Sequence, residues 1–168
     1  MSAELERHTI AIIVANEPGV LARVIGLFSG RGYNIESLTV APVTEDGSCS
    51  RINVVTTGTP MVIEQIKAQL SRLVPVHKVD DLTQEGLPIE RELALVKVIN
   101  KGSKRREALR IADIFGARVT DTTIESFVFS LTGAPEKVDS FVELMRTLGT
   151  VELARSGAVA VSRGSKTI

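Results

Sequence analysis

A single cysteine, Cys49, in 168 residues excludes an internal disulfide and a cysteine-based metal cluster. Cys49 lies in the polar stretch TEDGSCSR, remote in sequence from both histidines, and reads as a plain loop thiol rather than a nucleophile. There is no tryptophan and aromatics make up only 4%, so the core has to be built from aliphatic side chains, which the 43% apolar content supplies. Twenty basic residues balance twenty acidic ones. That balance argues against broad nucleic-acid binding, which needs a basic face to displace phosphate counterions. No apolar run approaches the ~18–20 residues that span a bilayer. The opening MSAELERH has no apolar signal core, and a soluble, reducing, cytoplasmic setting is expected. The sequence offers no His-x-x-x-His pair and no Gly-rich phosphate loop. RGSKT (163–167) has the look of a P-loop end without the helix that should follow. Carboxylate neighbours such as Asp80-Asp81 and Glu90/Glu92 fall in or beside a linker, where solvated charge is expected. No catalytic constellation and no metal site is assigned.

What is present is a twice-repeated order of elements. IAIIVA (10–15) is short and β-branched, a strand. Leu21, Val24, Ile25 and Phe28 recur at helical spacing, and Gly30 and Gly32 offer left-handed positions to end that helix. Residues 35–41 read as a second strand, TEDGS as a turn, and 51–56 as a third strand. Thr59-Pro60 places a cap and a first-turn proline before a helix striped by Ile63, Ile66, Leu70 and Leu73. Residues 74–79 close the unit as a fourth strand. The second half repeats βαββαβ: a strand over 92–99, a helix marked by Leu109, Ala112 and Phe115, strands over 118–122 and 126–131, a helix with Val138, Phe141 and Met145, and a strand over 151–154. TGTPMVIEQIKAQLSRLVPV (57–76) aligns without gaps on TGAPEKVDSFVELMRTLGTV (132–151). The division expected is residues 1–80, a linker over 81–90, and residues 91–168. Each unit is expected to be an antiparallel sheet with two helices on one face. IAIIVA and GAVAV (157–161) do not alternate, so both faces of these strands want cover from the sister unit, a second copy or a partner.

Residues 16–35, NEPGVLARVIGLFSGRGYNI, carry the candidate site. Helix N-termini present unpaired N–H groups and partial positive charge, to which a carboxylate is suited. Gly19 lets a ligand approach the backbone. Asn16 offers an amide on one side of the helix and Asn34 a second amide past its end. Val20, Leu21 and Ile35 supply apolar lining. The set suits a small branched amino acid. The same residues also suit purely structural roles: Asn16 as helix cap, Gly19 in the turn, Asn34 in a left-handed conformation. The pattern leaves both readings open.

RVIGLFSGRGYNIESLTVAP (23–42), ERELALVKV (90–98) and VELARSGAVAVSRG (151–164) together resemble the regulatory, or small, subunit of acetohydroxyacid synthase, also called acetolactate synthase. The resemblance covers nearly the whole chain. It implies an α+β protein of two ferredoxin-like domains in tandem, the first an ACT domain that binds a regulatory amino acid. It implies a non-catalytic subunit of branched-chain amino acid biosynthesis. Such a subunit stimulates a catalytic partner and confers feedback inhibition by valine. Thiamine diphosphate, Mg and FAD would belong to that partner, and none is expected on this chain. The family's ligand contacts fall on Asn16, Gly19, Val20, Leu21, Asn34 and Ile35. A homodimer through the ACT domains is expected, with Asn16 and Gly19 of one chain working with Asn34 of its mate. The second half is expected to lack a valine site, because INKGSKRRE (99–107) is crowded by Lys101, Lys104, Arg105 and Arg106. An ACT-domain regulator of a different amino-acid enzyme is the alternative. RNA binding, possible for βαββαβ modules that stack bases on aromatics, is disfavoured by the third strand RINVVT, which has none.

Overall fold

The computed structural model describes residues 4–168; residues 1–3, at the start of the stretch read for a signal core, lie outside the described residues. The chain forms two compact units, residues 4–89 with Val159–Ile168, and Glu90–Ala158.

The first unit contains β1 (Glu6–Ala15), α1 (Val20–Gly30), β2 (Ser37–Pro42), β3 (Cys49–Gly58), α2 (Pro60–Ser71) and β4 (Val76–Asp81). Its sheet has the order β2-β3-β1-β4 and is antiparallel throughout. Cys49 opens β3 opposite Ala15 rather than lying in the loop. Strand alternation sends Ile10, Ile12 and Val14 of β1, with Ile52 and Val54 of β3, to one face. There they meet Val24 and Phe28 of α1 and Ile63, Ile66 and Leu70 of α2. Thr59 caps α2 by accepting from the Val62 N–H, with Pro60 in the first turn.

The second unit repeats this plan with β5 (Ile89–Ile99), α3 (Ser103–Phe115), β6 (Arg118–Thr122), β7 (Ser126–Gly133), α4 (Pro135–Leu148) and β8 (Thr150–Arg155). The sheet order β6-β7-β5-β8 is that of the first unit. Val138, Phe141 and Met145 are buried at the positions aligned with Ile63, Ile66 and Leu70. On α3, Ala108 rather than Leu109 enters the core; Leu109 is exposed, because the stripe through Ala112 and the half-buried Phe115 continues back to position 108.

The expected division at 91–168 requires correction at its end. Val159–Ile168, which includes β9 (Val159–Val161), packs with the first unit. Ala160 is buried with Ala11 of β1 and Leu82. Arg51 Nη2 donates to the Ala160 carbonyl at 2.8 Å, and Lys166 Nζ lies 3.2 Å from Asp80 and 3.3 Å from Glu85. The second face of β1 at Ala11 is therefore covered by the chain's own tail, and its apolar character is not an argument for a second copy. Nor is GAVAV apolar-buried on both sides, since Val159 and Val161 are exposed around buried Ala160.

Candidate functional site

Chain direction at the start of α1 is set by β1 and by the turn between β2 and β3. The Ala15 N–H donates to Pro75 O, and the Asn16 N–H to Ser48 O, both at 2.8 Å. Gly19 then takes φ +85 in the left-handed region and stands as the residue before the helix, with no side-chain cap. A Cβ at Gly19 would meet nothing within 4 Å, so the space in front of the helix is open. Asn16 is not the helix cap. Its Nδ2 donates instead to Gly47 O at 2.8 Å. The first turn of α1 carries no acidic residue; the Val20 N–H is taken by the Glu17 carbonyl at 3.3 Å, and the N–H groups of Leu21 and Ala22 have no intrahelical acceptor and add to the partial positive charge of the helix end. Val20 belongs to the core, and Leu21 and Ile35 pack half-buried against it. Asn34 is exposed, and its carbonyl accepts from Thr56 Oγ1 at 2.6 Å.

Within one chain the strand register keeps Asn34 apart from Asn16. Ala15 sits opposite Cys49 at one end of β3, whereas Asn34 is tied to Thr56 near the other end. Seven residues of strand at ~3.4 Å each separate these ends by about 24 Å. Helix α1 itself, at ~1.5 Å per residue, holds its two ends about 16 Å apart. Asn16, Gly19, Val20 and Leu21 form one cluster, and Asn34 with Ile35 another.

The carboxylates read as solvated are in part buried. Asp81 accepts from His8 Nδ1 at 2.8 Å and from the Thr83 N–H at 3.0 Å. Glu92 pairs with Arg155, which also reaches Asp139. His8 and Arg155 lie 73 and 63 residues from the carboxylates they meet, beyond the reach of local reading. Lys101 of the second unit pairs with Glu125 at 2.6 Å. Arg105 lies 4.0 Å over the Phe127 ring. Among the described residues, no group of three His, Cys, Asp or Glu side chains is placed to hold a metal, and no helix is long and apolar enough to cross a membrane. The 44–48 turn is legible in the sequence, but its role at Asn16 is not, because that is a contact between residues 31 apart.

Two βαββαβ units of one sheet order, the first with an open, uncapped helix start beside an amide, define a tandem ferredoxin-like protein with an ACT-type unit. Residues 10–78 match the AHAS small subunit-like ACT domain, and residues 91–164 match the small subunit of acetolactate synthase. The chain is 47% identical over 160 residues to a probable acetolactate synthase small subunit of Archaeoglobus fulgidus, covering 95% of this chain and 99% of that one. It is 46% identical to the acetolactate synthase isozyme 3 small subunit of Escherichia coli, covering 95% and 98%. The crystal structure of the acetolactate synthase small subunit from Thermotoga maritima superposes with a TM-score of 0.84 at 35% identity, covering 96% of this chain and 99% of that one. The chain belongs to the acetolactate synthase small-subunit family.

Proposed function

We propose that this chain is the non-catalytic regulatory subunit of a cytoplasmic acetolactate synthase. It stimulates a thiamine-diphosphate-dependent catalytic subunit and confers feedback inhibition by valine. Thiamine diphosphate, Mg and FAD belong to that partner. Valine's carboxylate takes the start of α1 at Gly19, its side chain meets Val20, Leu21 and Ile35, and Asn16 and Asn34 serve its polar ends.

The observation that carries this reading is the separation of Asn16 from Asn34. One ligand reaches both amides only if two chains contribute. β2 ends the sheet of the first unit and is an edge strand, which is a template for further pairing. Its Val40 is 46% exposed. Asn34 and Ile35 precede β2, while Pro42 at its far end pairs with Ser50, next to the end of β3 where Asn16 lies. Antiparallel pairing of β2 with its copy sets the start of one strand beside the end of the other. Asn34 of one chain then lies at the sheet end that carries Asn16 of its mate, twice, about a twofold axis. Valine bound across this junction strengthens the dimer, by linkage, and shifts the population toward a state that does not stimulate the enzyme.

Acetolactate formation by the catalytic subunit, measured with and without this chain and with and without valine, tests the proposal. Stimulation that valine reverses is expected. A chain that turns over pyruvate unaided, or leaves the catalytic subunit unaffected, overturns it.

A further inference from the structure

Resting on the effector site just described, we propose that the turn between β2 and β3 is a positioning device: Asp46 clamps the Gly47–Ser48 peptide so that the Asn16 carboxamide presents its oxygen to the ammonium group of the ligand. Asn16 meets this turn twice, through its backbone N–H to Ser48 O and through Nδ2 to Gly47 O, each at 2.8 Å. The N–H of Ser48 and the C=O of Gly47 belong to one planar peptide group. Asp46 Oδ1 accepts from that N–H at 3.0 Å and from Ser48 Oγ at 2.7 Å. Holding the N–H edge of a trans peptide fixes the carbonyl edge on the opposite side, where Asn16 Nδ2 is bound.

The turn is braced further by Gly47 N–H to Thr44 O at 3.0 Å and by Cys49 N–H to Thr44 Oγ1 at 3.1 Å. Gly47 takes φ +68, a conformation that favours glycine. The hydrogen bonds from Ser48 hold the Asp46 carboxyl well below its ordinary 3.8, at about 2, so the clamp stays ionised at neutral pH.

The amide orientation follows from hydrogen-bond chemistry. Only an amide nitrogen can face the Gly47 carbonyl, because an oxygen there would set two acceptors against each other. The Asn16 oxygen is thus turned away from the turn. It is an acceptor beside a helix start that attracts anions. A zwitterion satisfies both features, its carboxylate at the helix and its ammonium at the amide oxygen. A ligand with a hydroxyl in place of the ammonium offers the amide oxygen only a neutral hydrogen bond, about half as strong as the charge-assisted one.

Calorimetry on the full-length chain, with L-valine and its 2-hydroxy analogue as probes, tests the device. Asp46→Ala is expected to weaken valine about fivefold, the size of an ordinary coupling between contacting residues. It should weaken the hydroxy analogue much less, narrowing the preference between the two. Asp46→Asn keeps an oxygen acceptor for Ser48 and should remain within about twofold of the parent. In an Asn16→Ala background, Asp46→Ala should add nothing. Independent, additive losses, an equal loss for both ligands, or parental valine affinity in Asp46→Ala overturn the positioning role. Parental valine affinity in Asn16→Ala overturns the effector-site reading itself. Should Asp46→Ala lack a cooperative melt, Ser48→Ala, which deletes one of the two bonds to Asp46, carries the same comparison.

Discussion

If Asn16 and Asn34 serve one ligand from two chains, two damaged chains can repair each other. The perturbation is a pair of single variants, Asn16→Ala and Asn34→Ala. Each removes one hydrogen bond to a charged end of valine, worth about 1.5–3 kcal/mol, which weakens binding roughly ten- to hundredfold. Each homodimer has both sites damaged. In a heterodimer of the two variants, both lesions fall in one site, and the other site is intact. Under the proposed dimer this outcome follows, because about 24 Å of strand separates the two amides within a chain. Co-expression with two different tags isolates the heterodimer, and calorimetry then counts the sites that bind at parental affinity. One such site in every two is expected. A heterodimer with no parental site would show that the amides do not share a ligand across the junction, and would refute the two-chain geometry.

Gly19→Asp should abolish valine binding, since a carboxylate would occupy the open space before α1 and repel that of the ligand; calorimetric binding at parental affinity would contradict the placement. Valine should bind more tightly than alanine by about fifteenfold, because two extra buried carbons contribute roughly 1.6 kcal/mol; equal affinities would show that no apolar wall is met. Gly149→Ala should destabilise the second unit by about 1–3 kcal/mol, seen as a lowered melting temperature, because its Cβ would lie 2.2 Å from the Ile99 carbonyl oxygen. A depressed carboxylate pKa stabilises the folded turn above the ordinary value of 3.8 and loses that contribution as pH falls through about 2; an NMR titration of Asp46 should therefore show a midpoint near 2, and a midpoint at 3.8 would deny the clamp.

Much of the fold was legible because its causes are local. Thr59-Pro60 announces α2, and Thr59 caps it three residues on. Ile63, Ile66 and Leu70 recur at the helical period and are buried as that period requires. The two βαββαβ units could be read from such signals alone. Elements that depend on distant partners could not. Val159–Ile168 follows the second unit in sequence but returns to the first, through contacts of Ala160 with Ala11 and of Lys166 with Asp80 that have no local signature. Asp81 and Glu92 read as solvated because His8 and Arg155 lie 73 and 63 residues away. At the candidate site, Gly19 and the start of α1 were legible from the turn and the apolar stripe. The partner of Asn16 was not, since a cap is the default for an amide before a helix, and only the folded hairpin brings Gly47 within reach.

The two units differ at the loop where the proposed amino-acid site would repeat. Asn100 follows β5 as Asn16 follows β1, and its N–H donates to Glu125 O in the second hairpin as that of Asn16 donates to Ser48 O in the first. Each helix that follows starts after a glycine of positive φ, Gly19 or Gly102, without a side-chain cap. The entry into the helix is shared only in part, since Gly19 is left-handed with ψ −9 and Gly102 has ψ −136, and the two amides also differ in what they do. Asn100 is 6% exposed and donates from Nδ2 to the carbonyl of Lys104, inside its own helix. Asn16 is exposed and donates outward, to the turn. Spacing is the cause. Two residues separate Asn16 from the glycine before its helix, and one separates Asn100 from its own, so the shorter loop draws the second amide in beneath the first turn. One residue of loop length thus accompanies a change from the exposed amide of Asn16 to a buried one at Asn100, whose oxygen has no hydrogen-bond partner and no access to solvent.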